Sequence, residues 1–214
     1  MTDITTNTAP PSTTKQEKWN ITPETCALLV IDMQNDFVRK GAIMEVAESR
    51  AQLPKIAALI EACRARTIPV IYTVHETNPQ FNPLEIASFP HLIGGGMRAG
   101  TEGIKVVDEL APISGEYILQ KRRYSAFFQT DLEMILRNLK PAGKAPVDTL
   151  IICGTVSNIC CESTARDAYF RDYKVVFGSD VNSALSKLAH DATIENMKLF
   201  GRVLTQQEII AQII

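Results

Sequence analysis

The sequence contains no apolar run of transmembrane length, so it offers no candidate for a membrane-spanning helix. It has almost no net charge: 22 basic against 24 acidic side chains leave −2 at pH 7. That balance gives no electrostatic footprint for nucleic acid or an anionic membrane, and neither is expected as a partner. Its five cysteines are an odd number in a chain of this length and read as thiols rather than as a disulfide framework. The first twenty residues, MTDITTNTAPPSTTKQEKWN, lack the apolar centre of a signal peptide, and a cytoplasmic protein is expected. What is present is ordinary for a globular chain: 214 residues, 45% hydrophobic and 21% charged, enough for one domain with its own core.

Residues 1–18 are rich in Thr, Pro, Asn and Ser, lack apolar periodicity, and are expected to form a mobile tail ahead of a single domain over 19–214. Within the domain, short apolar runs alternate with helical patterns. Strands are expected at 26–31, 70–74, 116–120, 149–153, 174–177 and 200–204. Helices are expected at about 49–66, 106–110, 131–139, 160–171, 186–199 and 206–214. Pro54 is tolerable if its helix starts near Ala51. The alternation predicts a three-layer α/β/α fold around a mainly parallel six-stranded sheet, Rossmann-like in type. Residues 76–100 break the pattern. Their glycines, Gly94 to Gly96 and Gly100, do not make a phosphate loop, because no apolar strand feeds them and no Lys-Ser or Lys-Thr follows. A flap beside the active site is expected there.

The stretch Asp148 to Ala168, DTLIICGTVSNICCESTARDA, organises the rest. A continuous apolar strand ends at Gly154, turn-formers follow, and Cys160 and Cys161 open the next helix. Ligands bind at the carboxyl ends of strands in open α/β sheets. A thiol in the first turn there has its thiolate favoured by the helix dipole, and the free N–H groups can hold an oxyanion. The residues also allow both cysteines to be small buried hydrophobes. Asp32, His75 and Lys121 stand at the ends of the first three strands, so a carboxylate, an imidazole, an ammonium and a thiol can share one crevice. Asp32 could take the thiol proton and Lys121 stabilise both anions. Taken singly, Asp32 also fits a turn cap, Lys121 a surface charge and His75 a packed histidine.

Three stretches carry a resemblance. LLVIDMQNDF (28–37), KRRYSAFF (121–128) and GTVSNICCESTARDA (154–168) resemble, in order and spacing, the signatures of the isochorismatase-like cysteine hydrolases. The resemblance implies a catalytic triad of Asp32, Lys121 and Cys160, with Cys161 packed where the family usually has Val. It implies a non-proline cis peptide, placed here at Val156–Ser157, and an oxyanion hole from the N–H groups of Ser157 and Cys160. It places Phe37, His75 and Tyr124 in the substrate pocket. Nicotinamidases of the family hold a metal with an Asp and two His after the second strand. Here only His75 stands in that region, and His91 and His190 fall outside the pattern, so no catalytic metal and no cofactor is expected.

Family members that cleave a vinyl ether lack the nucleophilic cysteine. The likeness is to ureidoacrylate, biuret and related carbamoyl-amide hydrolases, and it implies a small amide or ureide substrate. The alternatives are a vinyl-ether hydrolase or an inactive binding protein on the same fold. A homo-oligomer, dimer or tetramer, is expected too, because Ile209, Ile210, Ile213 and Ile214 form one stripe on the last helix that needs cover.

Overall fold

The computed structural model of the chain describes residues 19–141 and 145–213, apart from the side chains of Pro90 and His91. The expected tail, 1–18, lies outside the described residues, as does Ile214. The apolar run Cys26–Ile31 becomes β1, every residue of it buried. Full burial on both faces is what a continuous β-branched and leucine-rich run dictates. β2 (Val70–His75) and β4 (Thr149–Thr155) are buried along their whole length in the same way. β3 (Tyr117–Lys121), β5 (Lys174–Ser183) and β6 (Arg202–Leu204) complete one sheet in the order β3-β2-β1-β4-β5-β6. Every pairing is parallel. The order reverses between β1 and β4, so a crevice opens beyond their carboxyl ends.

Two apolar layers flank the sheet. Leu28 and Val30 point to one face, with Ile56, Leu59 and Ile60 of α2 (Ala47–Ala65) and Ile209 and Ile213 of α7 (Gln206–Ile213). Ala27, Leu29 and Ile31 point to the other. They meet Leu132 and Leu136 of α4 (Leu132–Asn138), Ala165 and Ala168 of α5 (Glu162–Tyr169), and Met197 of α6 (Lys187–Met197). Two short helices, α1 (Asn35–Val38) and α3 (Pro83–Ser88), lie in the loops after β1 and β2. Among the described residues no helix is long and apolar enough to cross a membrane.

Four expectations need correction. α2 starts at Ala47, so Pro54 lies inside it rather than in its first turn. Pro54 is exposed and contributes no N–H to the helix ladder. β5 does not stop at Phe177. The Gly178-Ser179-Asp180 signal is absorbed as an irregularity, and the Asn182 amide stitches it by donating to the carbonyls of Ile152 (2.9 Å) and Gly178 (2.7 Å). The helix expected over 106–110 is a single 3₁₀ turn, Asp108–Leu110.

The fourth correction concerns the isoleucine stripe. α7 folds back on its own domain: Ile209 and Ile213 are fully buried in the α2 layer and Ile210 packs at its edge. Thr205 and Glu208 fix the entry by the expected reciprocal cap, with the Thr205 N–H donating to the Glu208 carboxylate and the Glu208 N–H to the Thr205 hydroxyl. The stripe therefore gives no reason for a subunit contact. Ile209→Ala should cost about 2–5 kcal/mol of stability and Ile210→Ala clearly less, read by denaturant unfolding. Equal costs would contradict this packing.

Candidate active site

β1 ends at Ile31, and the chain turns at once. Asp32 sits at φ 49°, in the left-handed region that Asp tolerates better than most residues. Beside it Gly154 has φ 128°, and a Cβ there would fall on the Ile31 carbonyl, so β1 and β4 can approach only with glycine at this position. The Thr73 hydroxyl of β2 donates to Asp32 Oδ1 at 2.6 Å. Asp32 Oδ2 lies 2.7 Å from Lys121 Nζ, and both side chains are fully buried. Lys121 gets there because β3 is an edge strand with alternating exposure, and Leu119 and Lys121 are in its buried phase.

The Lys121 ammonium also approaches the Arg123 carbonyl (3.1 Å), His75 Nδ1 (3.2 Å) and Cys160 Sγ (3.4 Å). Burial favours the neutral amine. The Asp32 carboxylate and Cys160 outweigh it and hold the Lys121 pKa above its ordinary 10.5. Cys160 goes the other way. Burial pushes its thiol well above the ordinary 9.0; Lys121 opposes that push, and Asp32 adds to it by charge and as hydrogen-bond acceptor.

The resting set is thus ammonium, carboxylate and thiol, which corrects the expectation of a favoured thiolate. The reason is local. Residues Ser157–Cys161 form one turn of π-helix, and Cys160 lies near its end, almost wholly buried, rather than in an open first turn.

Asp32, His75 and Cys160 each place a potential ligand atom within 4.8 Å of the others. The Lys121 ammonium already contacts all three, so this cluster has its cation built in and is a poor fit for a metal ion.

The structure brings the expected pocket residues together. Phe37, His75 and Tyr124 line one small cavity with Cys160, and His75 stacks on Tyr124 with ring centroids 6.1 Å apart. Cys161 is fully buried in the apolar layer on the α5 side. The segment after β2 supplies Glu85, Phe89 and Met97 to the same cavity, as a flap should. Gln34 and Asp36 of the loop after β1 hold that segment in place. Gln34 exchanges bonds with the N–H and carbonyl of His75, and Asp36 accepts from the Met97 N–H. The cavity measures only ≈ 20 Å³, room for about one water.

The oxyanion turn is placed differently from expectation. The cis peptide is Thr155–Val156, one residue earlier than Val156–Ser157, because β4 continues through Thr155 and the π-turn begins directly at Ser157. Ser157 is buried, and its hydroxyl pairs with His190 Nδ1 at 2.9 Å. His190 Nε2 donates to the Ser179 carbonyl at 3.0 Å, which fixes the ring so that the serine hydroxyl donates to Nδ1.

Sequence reasoning missed Glu85, Thr73 and His190. Asn82-Pro-Leu-Glu85 carries only the pattern of a helix cap, and the other two show no local signal.

Comparison with known proteins gives the family. The family model "Isochorismatase domain" matches residues 26–208. The chain therefore belongs to the isochorismatase family of hydrolases. Among curated relatives it is 32% identical to ureidoacrylate amidohydrolase RutB of Pantoea ananatis, over 87% of this chain and 80% of that one. Among solved structures it resembles a cysteine hydrolase from Pseudomonas syringae pv. phaseolicola 1448A. There the TM-score is 0.83 and the identity 32%, over 92% of this chain and 95% of the other. It also resembles N-carbamoylsarcosine amidase from Thermoplasma acidophilum, at TM-score 0.71 and 28% identity over 85% and 96% of the two chains.

The charges around the thiol yield a pH prediction. Because the Cys160 pKa lies above 9.0, its alkylation by iodoacetamide should keep rising with pH and reach no plateau by pH 9. Asp32→Asn removes the anion and acceptor that hold the thiol proton. It should move the alkylation profile to lower pH while abolishing turnover. An unchanged profile in that variant would separate Asp32 from the thiol.

Proposed function

We propose that the chain is a cysteine amidohydrolase that cleaves a C–N bond in a small linear amide, ureide or carbamoyl compound through a thioester acyl-enzyme. One observation carries this reading: a buried thiol, a buried carboxylate and a buried ammonium meet, with Lys121 Nζ 2.7 Å from Asp32 and 3.4 Å from Cys160, and the thiol lines a small cavity. The printed activities of the ureidoacrylate and carbamoylsarcosine relatives support the substrate class.

The proton on Cys160 passes to Asp32 as sulfur attacks the carbonyl carbon. Lys121 stays charged and offsets the negative charge as it moves from carboxylate to sulfur to oxygen. In this mechanism the main-chain N–H groups of Val156 and Cys160, the two residues of the turn's ends that line the cavity, receive the oxyanion in place of the Ser157 and Cys160 pair, and the Ser157–His190 bond holds the turn. Asp32 then returns its proton to the leaving nitrogen, and ammonia or an amine departs. Water enters and gives a proton to Asp32 as its oxygen attacks the thioester. Collapse releases the acid and restores the thiol. Thr73 holds Asp32 Oδ1 throughout, so Oδ2 faces the reacting groups. Phe37, His75 and Tyr124 line the substrate, and no cofactor takes part. A homo-oligomer, dimer or tetramer, belongs to this reading.

Ammonia release from a panel of ureas and primary amides tests the proposal. At least one compound should be turned over, and Cys160→Ala should lower that rate by about 10⁵-fold or more. Cys161→Val should keep most of it, and prior chelation should leave it unchanged. Intact-protein mass spectrometry should show an acyl adduct on Cys160 alone. Turnover that survives in Cys160→Ala would refute the mechanism.

A further inference from the structure

A second cavity adjoins the catalytic turn from the side of α6. Residues of α2, the end of β5 and α6 line it, and it measures ≈ 260 Å³ against ≈ 20 Å³ at Cys160. That is just below the roughly 300 Å³ at which sites for drug-sized ligands begin, so a smaller compound fits. Gln52, Asn182 and Ser183 line it, and each carries a buried side-chain oxygen with no hydrogen-bond partner among the described residues. Asn182 is fully buried and Ser183 only 2% exposed. Outside this cavity the described residues hold two such oxygens, Asp32 Oδ2, which has its ion pair with Lys121, and one oxygen of Glu76.

The orientation of both amides is fixed. The Asn182 nitrogen donates to the carbonyls of Ile152 and Gly178, and the Gln52 nitrogen to the Asn182 carbonyl at 2.7 Å. Turning either amide over would set oxygen against oxygen, so both side-chain oxygens face their surroundings as acceptors. A buried acceptor without a donor is costly, and a ligand that brings N–H groups recovers that cost. Charge at the rim favours the same chemistry. Glu48 and Asp191 line the cavity with Lys187, and Lys187 is turned outward to Asp191 with its side chain 85% exposed. A metal ion fits poorly, because it needs its ligands gathered at one point. Among the described residues, ligand atoms of three His, Cys, Asp or Glu side chains gather only around Cys160.

We propose that this cavity is a second ligand site, for a small organic cation with several N–H donors, an alkylguanidinium or alkylammonium compound. His190 lines the cavity and accepts from the Ser157 hydroxyl at 2.9 Å, so the ligand lies against the residue that holds the catalytic turn. The site stands on its own observations and is independent of the reaction catalysed at Cys160.

Propylguanidinium, pentanol and pentanoate, similar in length but cationic, neutral and anionic, test it on the full chain. Binding is read from the imidazole nitrogen NMR signals, since His190 lines this cavity and His75 the catalytic one. Propylguanidinium should shift the His190 signals saturably, with a Kd of about 1 mM or tighter, and leave those of His75 in place. Pentanol should bind about 10-fold more weakly, and pentanoate should not bind. Glu48→Gln should weaken propylguanidinium about 3-fold. Ser183→Ala should weaken it about 5-fold without lowering the unfolding midpoint, because the hydroxyl has no partner to lose.

A crystal soaked in propylguanidinium should show its nitrogens against Gln52 Oε1 and Asn182 Oδ1. Ordered water alone at those oxygens, or shifts at His75 and none at His190, would overturn the proposal. So would equal binding of pentanol, or an affinity unmoved in both variants. The three-compound comparison on the wild type decides the matter even where a variant does not fold.

Discussion

The buried ion pair of Asp32 and Lys121 is the constraint to which the rest of the molecule answers. Two charges taken fully out of water cost several kcal/mol each, and their attraction offsets that only with good geometry and further partners. The fold supplies both. Thr73 donates to the free oxygen of Asp32, and the Arg123 carbonyl, His75 and Cys160 surround the ammonium. None of these groups is close in sequence to both ions. They meet because β1, β2 and β3 are adjacent and parallel, so their last residues come out at one level, and because β4 delivers the thiol across the switch point. Losing one partner leaves the other as an uncompensated buried charge, which makes this pair an obligation of the fold as well as a device for moving a proton.

The loop after β1 extends the same logic outward. Gln34 and Asp36 are polar residues in a region where burial is expensive, and each is spent on backbone. Gln34 locks the end of β2, where His75 stands, and Asp36 receives the Met97 amide. Glycine at 103 leaves room for the Asp36 carboxylate, where any side chain would collide with it. The DMQNDF stretch is thus an ion-pair partner, a clamp and a pocket wall in six residues, with Phe37 as the wall. Further bonds tie the flap down, from the Asn82 amide to the Arg122 carbonyl and from the Arg123 guanidinium to that of Phe81, and its α3 supplies Glu85 to the cavity without joining the sheet.

Much of this was legible in the sequence because it follows from strand ends. Asp32, His75, Lys121 and the turn to Cys160 each directly follow or close an apolar run, and a parallel sheet brings such ends together whatever the detail of the loops. The expected six-stranded α/β/α fold stands for the same reason.

What was illegible depends on contacts between segments far apart in the chain. The spacing of Asn82 and Glu85 reads as a cap, and nothing local says that Glu85 reaches His75. The isoleucine stripe of α7 announces a need for cover but not what covers it, and α2 of the same domain does. The cis bond falls one residue early because pattern cannot tell how far β4 runs past Gly154. Nor could position in a helix reveal the state of Cys160, since burial outweighs any dipole at a sealed site.

The narrowness of the cavity bears on chemical survival. A thiol that rests protonated and is almost wholly buried is a weak target for peroxide, which reacts with exposed thiolates. Anything bound in that cavity would shield the sulfur from such an oxidant.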